Sequence, residues 1–366
     1  MKKRNMIELS EDGKTLVKVP REFEGEFVIP EGVTTLASGA FMGCTIKELV
    51  IPKSVVSIDA RTFDGCPIER IAVEDGNPIY DSRDNCNAII ETAMNRLVAG
   101  CCNTIIPDSV TCIGHAAFAF CEQIVTMNIP DSVVDIEPFA FQCCRNMEHI
   151  RLPKGLKSIA GGVFSECYKL NDISLPEGLE VIQGFSMNYS LTHITIPNSV
   201  KSLSGFSGCT KLTHITIPEN VQSIGLMFGE TKLKSLTVDE HNTYFDSRGN
   251  CNAIIETATN TLVRGCATTI IPKSVEHIAA QAFWDCVDLK EISIPEGVKT
   301  IGKRAFVGCN KLRKVVLPMS LEKVEEDVLF GGIFDSYVKQ IIVPKGHKER
   351  FLEIGLKEYE RIIIEQ

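Results

Sequence analysis

Aromatic and imidazole side chains are scarce in this chain of 366 residues, which has one Trp, six Tyr and seven His. So few residues leave little material for base stacking or for a metal site with several imidazoles. No apolar run approaches the roughly 18 residues that indicate a membrane-spanning helix. Apart from its first few residues the chain has no basic run, and 38 Lys and Arg stand against 47 Asp and Glu. Nucleic-acid binding and membrane insertion are therefore not expected.

A repeat with a period near 23 residues organises the chain. Twelve of its sixteen prolines follow a short apolar segment that is typical of a strand. Most successive spacings between them are 21 to 26 residues, and two are 55 and 54. The twelve are Pro30, Pro52, Pro107, Pro130, Pro153, Pro176, Pro197, Pro218, Pro272, Pro295, Pro318 and Pro344.

Each unit carries the pattern of two short strands and a bend. The unit that begins at Leu289 reads LKEISIPEGVKTIGKRAFVGC. Ile292 and Ile294 alternate like the buried face of a strand, and Pro295 ends that strand because it has no N–H for a neighbour. A second apolar pair follows, and then a Phe that is large enough to fill the centre of a coil. The pattern predicts a mostly β repeat solenoid with short helical or irregular turns, in which coils pack on their neighbours.

Eight of the fifteen cysteines share one repeat position, three residues after the Phe. A column of small buried thiols is the simplest interpretation, because unpaired Cys is among the most buried residue types. Adjacent coils would place the Cα atoms about 5 Å apart, within disulfide range, so an oxidised ladder is an alternative. The eight are Cys44, Cys66, Cys121, Cys144, Cys167, Cys209, Cys286 and Cys309.

Two longer units, at about 74–106 and 239–271, are copies of one another. Their segments 81–107 and 246–272 agree at 21 of 27 positions. In each copy the apolar segments AII and LV flank a polar turn of about four to six residues, a pattern that predicts a β-hairpin.

The two ends of the chain differ from the repeat, because the first and last coils of an array must have their open apolar faces covered. Residues 1–22 predict a capping hairpin that turns near Asp12 and Gly13. Residues 23–343 are predicted to form the solenoid. Residues 344–366 predict a second cap, made of a helix over 347–359 and a closing strand around Ile363.

Sequence patterns of common enzymes are absent, since the chain has no GxSxG, HExxH, P-loop or GxGxxG. A catalytic Cys–His pair would need a cysteine outside the repeated position. Four cysteines of the longer units lie outside that position and could be exposed, but no His has an equivalent place in both copies. They are Cys86, Cys101, Cys251 and Cys266. We therefore predict a protein that is not an enzyme and uses no cofactor.

The unit LxxIxIPxxVxxIgxxAFxxC resembles the BspA-like leucine-rich repeats of bacteria, over nearly the whole chain from about Phe23 to Val343. Pro after the IxI strand and AFxxC at the bend separate this class from other leucine-rich repeats. The resemblance implies a curved right-handed solenoid with a parallel sheet on its concave side. It also implies a role in binding proteins or host surfaces, without catalysis.

The residues between the buried positions of the first strand must face outward and form two columns, from Glu26 to Gln340 and from Val28 to Ile342. About twelve coils at about 4.8 Å would give a face about 60 Å long, enough for a protein interface. The residues of its central stretch differ most from the rest of the two columns, and this stretch coincides with shortened repeat units. The ligand-binding residues are therefore predicted there. They are His149, Arg151, Asp172, Ser174, His193, Thr195, His214 and Thr216.

A metal bridging His193 and His214 is a lesser alternative, because residues in line on a sheet rarely converge tetrahedrally. No metal site is therefore predicted.

These patterns predict a recognition module that binds a protein partner through the concave face. The alternatives are a bacterial cell-surface adhesin for a host protein or glycan, and a structural spacer or immunity-type inhibitor. The first 25 residues lack the apolar stretch of a signal peptide, and free cysteines suit a reducing compartment. A cytoplasmic location is therefore expected, with a cell-surface or secreted one as the alternative if a signal has been lost.

Overall fold

The computed structural model describes residues 7–21, 23–225, 228–328 and 338–366, without the side chains of residues 24–26. Residues 1–6 and 22 of the predicted N-terminal cap lie outside this part, as does the side chain of Glu26. The chain divides into two compact units, Met1–Leu191 and Thr192–Gln366. Within the described residues, no helix combines the length and the apolar character that crossing a membrane would require.

Both units are β solenoids of stacked parallel strands, as the repeat predicts. The IxI segments form one set of strands, which we call the wide face. Its strands in the first unit are Glu24–Val28, Thr45–Ile51, Arg70–Val73, Thr126–Asn128 and His149–Arg151. In the second unit they are His214–Ile217, Ser235–Val238, Glu291–Ser293, Lys314–Val316 and Gln340–Val343.

The second apolar pair of each unit forms shorter strands on another side of the coil, which we call the narrow face. In the first unit these are Thr15–Lys18, Thr35–Leu36, Ser57–Ile58, Cys112–Ile113, Asp135–Ile136, Ser158–Ile159 and Val181–Ile182. In the second unit they are Ser202–Leu203, Ser223–Ile224, His277–Ile278, Thr300–Ile301 and Lys323–Val324.

A column of phenylalanines fills the centre of the coils. In the first unit the Phe118 and Phe141 rings stack with centroids 5.0 Å apart and planes 3° apart, and Phe164 follows at 5.8 Å. In the second unit Phe283 and Phe306 stack at 5.1 Å. All five rings are buried. Because one coil is too thin to enclose such a ring, each coil depends on its neighbours for its core.

The two longer units form the predicted antiparallel hairpins. Ala88–Glu91 pairs with Arg96–Gly100 in the first copy, and Ala253–Glu256 pairs with Thr261–Gly265 in the second. Each hairpin is widened by a two-residue strand and preceded by a 3-10 turn. These elements are Tyr80–Asp81, Arg83–Asn85, Phe245–Asp246 and Arg248–Asn250. The second strand of each hairpin then pairs in parallel with the narrow face.

At the N-terminal end, Glu8–Leu9 pairs antiparallel with Thr15–Lys18, which continues into the narrow face. At the other end the helix is shorter than predicted. A four-residue α-helix, Lys348–Phe351, gives way to a π turn, Leu352–Leu356, and a 3-10 helix, Lys357–Ile362. Gly355 has φ +125, a backbone conformation that an α-helix cannot contain. The strand Ile363–Glu365 then pairs in parallel with Gln340–Val343.

Candidate functional site

The predicted binding residues of the first unit begin on two adjacent strands of the wide face. Thr126 pairs in register with His149, and Asn128 with Arg151. All four side chains are exposed, whereas the residues between them on each strand are buried. The alternation follows from the pleat, which sends successive side chains to opposite faces. A polar patch of four side chains therefore lies on an apolar core.

Arg151 is held tightly in this patch. Its Nη2 donates to both carboxylate oxygens of Asp131 at 2.9 Å, and its Nη1 donates to the Ile129 carbonyl at 2.7 Å. The N–H of Lys154, together with Arg151, lowers the pKa of the Asp131 carboxyl. The guanidinium is thereby oriented in advance, and its positive charge is balanced on the face itself.

Asp172 and Ser174 lie on the next coil of the first unit. Both are exposed and flank the buried Ile173. This segment keeps the alternation of a wide-face strand, although it lies outside the regular strands. The first unit thus holds four of the eight predicted residues, all exposed.

The other four predicted residues belong to the second unit, and all of them are exposed. His193 and Thr195 flank the buried Ile194, and His214 and Thr216 lie on the strand His214–Ile217. Each imidazole is hydrogen-bonded through Nδ1 to the hydroxyl of the preceding threonine. These distances are 3.3 Å from Thr192 Oγ1 to His193 and 2.8 Å from Thr213 Oγ1 to His214. Thr216 Oγ1 lies 3.0 Å from Thr237 Oγ1 on the neighbouring strand.

Not every predicted column residue faces solvent. Ile342, the last member of the second column, is 8% exposed. Its strand is flanked by Lys314–Val316 on one side and Ile363–Glu365 on the other, so Ile342 lies between Val316 and Ile364. The closing strand and its preceding turns therefore cover a position that the repeat pattern alone predicts to be open.

A groove on the wide face of the second unit was missed by the sequence analysis. It has a volume of about 470 Å³, and Ile270 stands at its wall with 77% exposure. Its lining also includes Glu291, Ser293, Lys314 and Val316. Ile270 is the second residue of the TIIP segment, residues 269–272, that ends the longer unit.

The first unit has residues at every corresponding position. Ile105 replaces Ile270 and is also 77% exposed. The other four positions are the polar patch described above: Thr126, Asn128, His149 and Arg151. The offset of 165 residues between the two copies is visible in the sequence, and extending that alignment past the hairpins would have indicated both patches.

Three side chains with metal-ligating atoms converge at a turn of the second unit. Among the described residues, the ligand atoms of Glu219, Asp239 and His241 lie within 4.8 Å of one another. His241 Nδ1 is 3.1 Å from Asp239 Oδ1. None of the three histidines of the predicted wide-face set belongs to this group.

The repeated cysteine position is buried as predicted in seven of its eight members, and Cys121 is half-buried. The thiols donate to main-chain carbonyls of the preceding coil, for example from Cys144 to Phe118 and from Cys309 to Phe283. Burial raises the pKa of Cys66 to about 12 and that of Cys309 to about 12. Such thiols remain protonated and structural.

The four cysteines of the longer units, which could have been exposed by their place outside the repeated position, are buried. Each of these cysteines is at most 3% exposed, because the hairpins fold over them. Cys86 and Cys251 donate to the carbonyl two residues ahead, of Ala88 and Ala253. The four are Cys86, Cys101, Cys251 and Cys266.

The arrangement of stacked coils, two parallel faces and a ring-filled centre defines a β repeat solenoid. The model of the BspA type leucine-rich repeat region matches residues 24–95, 99–205, 184–255 and 263–349, with six copies. The chain therefore belongs to the BspA type leucine-rich repeat family, as the repeat unit indicated. Repeat proteins of this kind are generally non-catalytic and act in protein interaction or at surfaces.

A solved structure of a bacterial leucine-rich repeat protein shares the fold, and a second is similar in sequence. A leucine-rich repeat protein from Bacteroides ovatus is 24% identical, with 94% of each chain covered and a TM-score of 0.50. A leucine-rich cell surface protein from Faecalibacterium prausnitzii is 21% identical, with 97% of each chain covered and a TM-score of 0.45. The curated proteins that were compared include no significant match.

Proposed function

We propose that this protein is a non-catalytic recognition module that binds a protein partner through the wide face. The observation that carries the proposal is the exposed polar patch of Thr126, Asn128, His149 and Arg151 on two paired strands. In the same unit Ile105, the counterpart of the groove residue Ile270, is also exposed. Hydrogen-bond donors and acceptors together with an exposed aliphatic side chain suit a protein interface.

The rigidity of the patch supports the proposal. The backbones of both strands are fixed by parallel pairing, and Arg151 is fixed by Asp131 and the Ile129 carbonyl. A surface that is already ordered loses little conformational entropy when a partner binds. The two-copy arrangement adds a second surface with Ile270 in the corresponding position and Glu291 and Lys314 as its charged residues.

The absence of catalysis is part of the same proposal. A nucleophilic cysteine must form a thiolate easily, whereas burial raises the pKa of the thiols at the repeated position. The predicted binding residues of the wide face stand in line along the strands, which is not the convergent arrangement of an acid, a base and a nucleophile.

The test is the comparison of two matched variants for binding to a partner identified by affinity purification. The double variant His149→Ala with Arg151→Ala should raise the dissociation constant by about 30-fold or more. This corresponds to a loss of about 2 kcal/mol of binding free energy, as for a central contact. Lys323→Ala removes an exposed side chain of the narrow face and should leave affinity unchanged. Equal affinity of the double variant and the parent protein, measured by calorimetry, would exclude the wide face of the first unit.

A further inference from the structure

Arg264 is a buried cation on the second hairpin. Its side chain is 6% exposed, and its guanidinium Nη1 donates to the Gln281 carbonyl. Among the described residues no carboxylate forms an ion pair with it, and burial lowers the pKa of Arg264 to about 10. A buried charge without a counter-charge is costly, because the protein interior solvates an ion far less well than water does.

A small cavity opens beside this guanidinium. It has room for about one water-sized particle. Its lining combines a hydroxyl, a guanidinium, two thiols and two aromatic rings. The residues are Phe228, Thr231, Arg264, Cys266, Trp284 and Cys286. Asp285, which lies between the lining residues Trp284 and Cys286 in the sequence, directs its Oδ1 towards Gly308.

The first unit contains the corresponding cavity with a different charge arrangement. By the offset of 165 residues, Ala99 of the first hairpin corresponds to Arg264, and Asp64 of the preceding bend corresponds to Gly229. Asp64 is 4% exposed and accepts a hydrogen bond of 2.7 Å from Arg61 Nε. The first cavity thus contains a complete ion pair, whereas the described lining residues of the second contribute the cation without a carboxylate.

We propose that the cavity beside Arg264 binds a small monovalent anion of about the size of chloride. The anion supplies the negative charge that Asp64 supplies in the first copy, and the guanidinium supplies N–H donors to it. The cavity volume excludes tetrahedral oxyanions such as sulfate and phosphate. The ion thereby acts as a structural ligand that stabilises the contact between the second hairpin and the bends on either side of it.

The experiment is a chloride titration followed by ³⁵Cl NMR line width, with sodium gluconate holding the ionic strength constant. The parent protein should show excess line broadening that saturates with chloride and is removed by competing bromide, but not by sulfate. Arg264→Ala should lose this saturable broadening. Because the first hairpin folds with alanine at the corresponding position, this variant is expected to fold.

Two further variants make the outcome decisive. Lys290→Ala removes one exposed cation from the same unit and should keep the full broadening. Arg264→Gln removes the charge but keeps a donor for the Gln281 carbonyl, and it replaces the alanine variant if that one does not fold. Saturable broadening that persists in either Arg264 variant, or its absence from the parent protein, would overturn the proposal.

Discussion

The ring of Phe118 lies directly over Gly100: a Cβ on Gly100 would stand 2.1 Å from Phe118 Cε1. Phe283 and Gly265 repeat the relationship in the second unit, at 2.2 Å. The hairpin can approach the phenylalanine column only where it has no side chain. These two glycines therefore determine how the longer units join the solenoid.

Gly100→Ala is expected to destabilise the protein. The added methyl group would displace the Phe118 ring or the hairpin strand, and overpacking of this kind costs about 1–3 kcal/mol. Chemical denaturation followed by circular dichroism measures the change. Gly161→Ala is the control in the same unit, because a Cβ there meets no atom within 4 Å. Equal midpoints for both variants would contradict the packing argument.

Phe141→Ala should be more damaging still. Phe141 stacks between Phe118 and Phe164 and is fully buried, so its removal leaves a cavity that two neighbouring coils share. Loss of a buried Phe side chain costs about 3–5 kcal/mol. Phe120→Ala is the comparison: Phe120 lies on the bend and is only half-buried, and the Arg61 guanidinium carbon is 5.7 Å from its ring centroid. A smaller loss for Phe141→Ala than for Phe120→Ala would be evidence against the central column as the main core.

Much of this architecture follows from local patterns. The 23-residue period, the alternation around Ile292 and the repeated Phe define the coils, because each coil repeats the same contacts with its neighbours. The exposure of the eight predicted wide-face residues follows from the same alternation.

What the repeat could not predict depends on contacts between segments far apart in sequence. Ile342 is buried because Ile363–Glu365 adds a strand beside it. Cys101 is buried because the hairpin folds back, and its thiol lies 3.5 Å from the Glu69 carbonyl, 32 residues earlier. The groove beside Ile270 arises where the longer unit ends against the next wide-face strands. None of these contacts has a signature within one repeat unit.

Arg151→Gln should raise the pKa of Asp131 towards the ordinary value for an aspartate. The pKa of Asp131 is lowered by the Lys154 N–H and by the Arg151 guanidinium, and the substitution removes only the second. A ¹³C NMR titration of the Asp131 carboxyl measures the shift. His149→Ala, two residues away on the same strand, should leave this pKa unchanged. An unchanged value in Arg151→Gln would mean that the Lys154 N–H alone holds the carboxylate.

Alkaline solution should destabilise the fold through its buried thiols. A thiol in the unfolded chain ionises near its ordinary pKa of about 9, whereas Cys309 in the folded protein ionises near 12. The folded state then binds more protons between these values, so stability falls as pH rises from 9 to 12. Cys309→Ala should reduce the slope of unfolding free energy against pH in this window. A slope identical to that of the parent protein would show that Cys309 does not contribute.

The thiols also discriminate between a reducing and an oxidising location. Twelve of the fifteen cysteines are buried, and Cys102, Cys112 and Cys121 are half-buried. Titration with a chromogenic disulfide, without reductant, should therefore detect at most about three thiols in the native protein. Denaturant should then expose close to fifteen, because a buried protonated thiol reacts only when the chain opens. This result would support the expected cytoplasmic location.

A protein isolated from its native source with few thiols even after denaturation would contradict that location, since it would indicate the oxidised ladder that the repeated cysteine position leaves as an alternative. The adhesin hypothesis would then take precedence, and the wide face would be tested against host proteins and glycans.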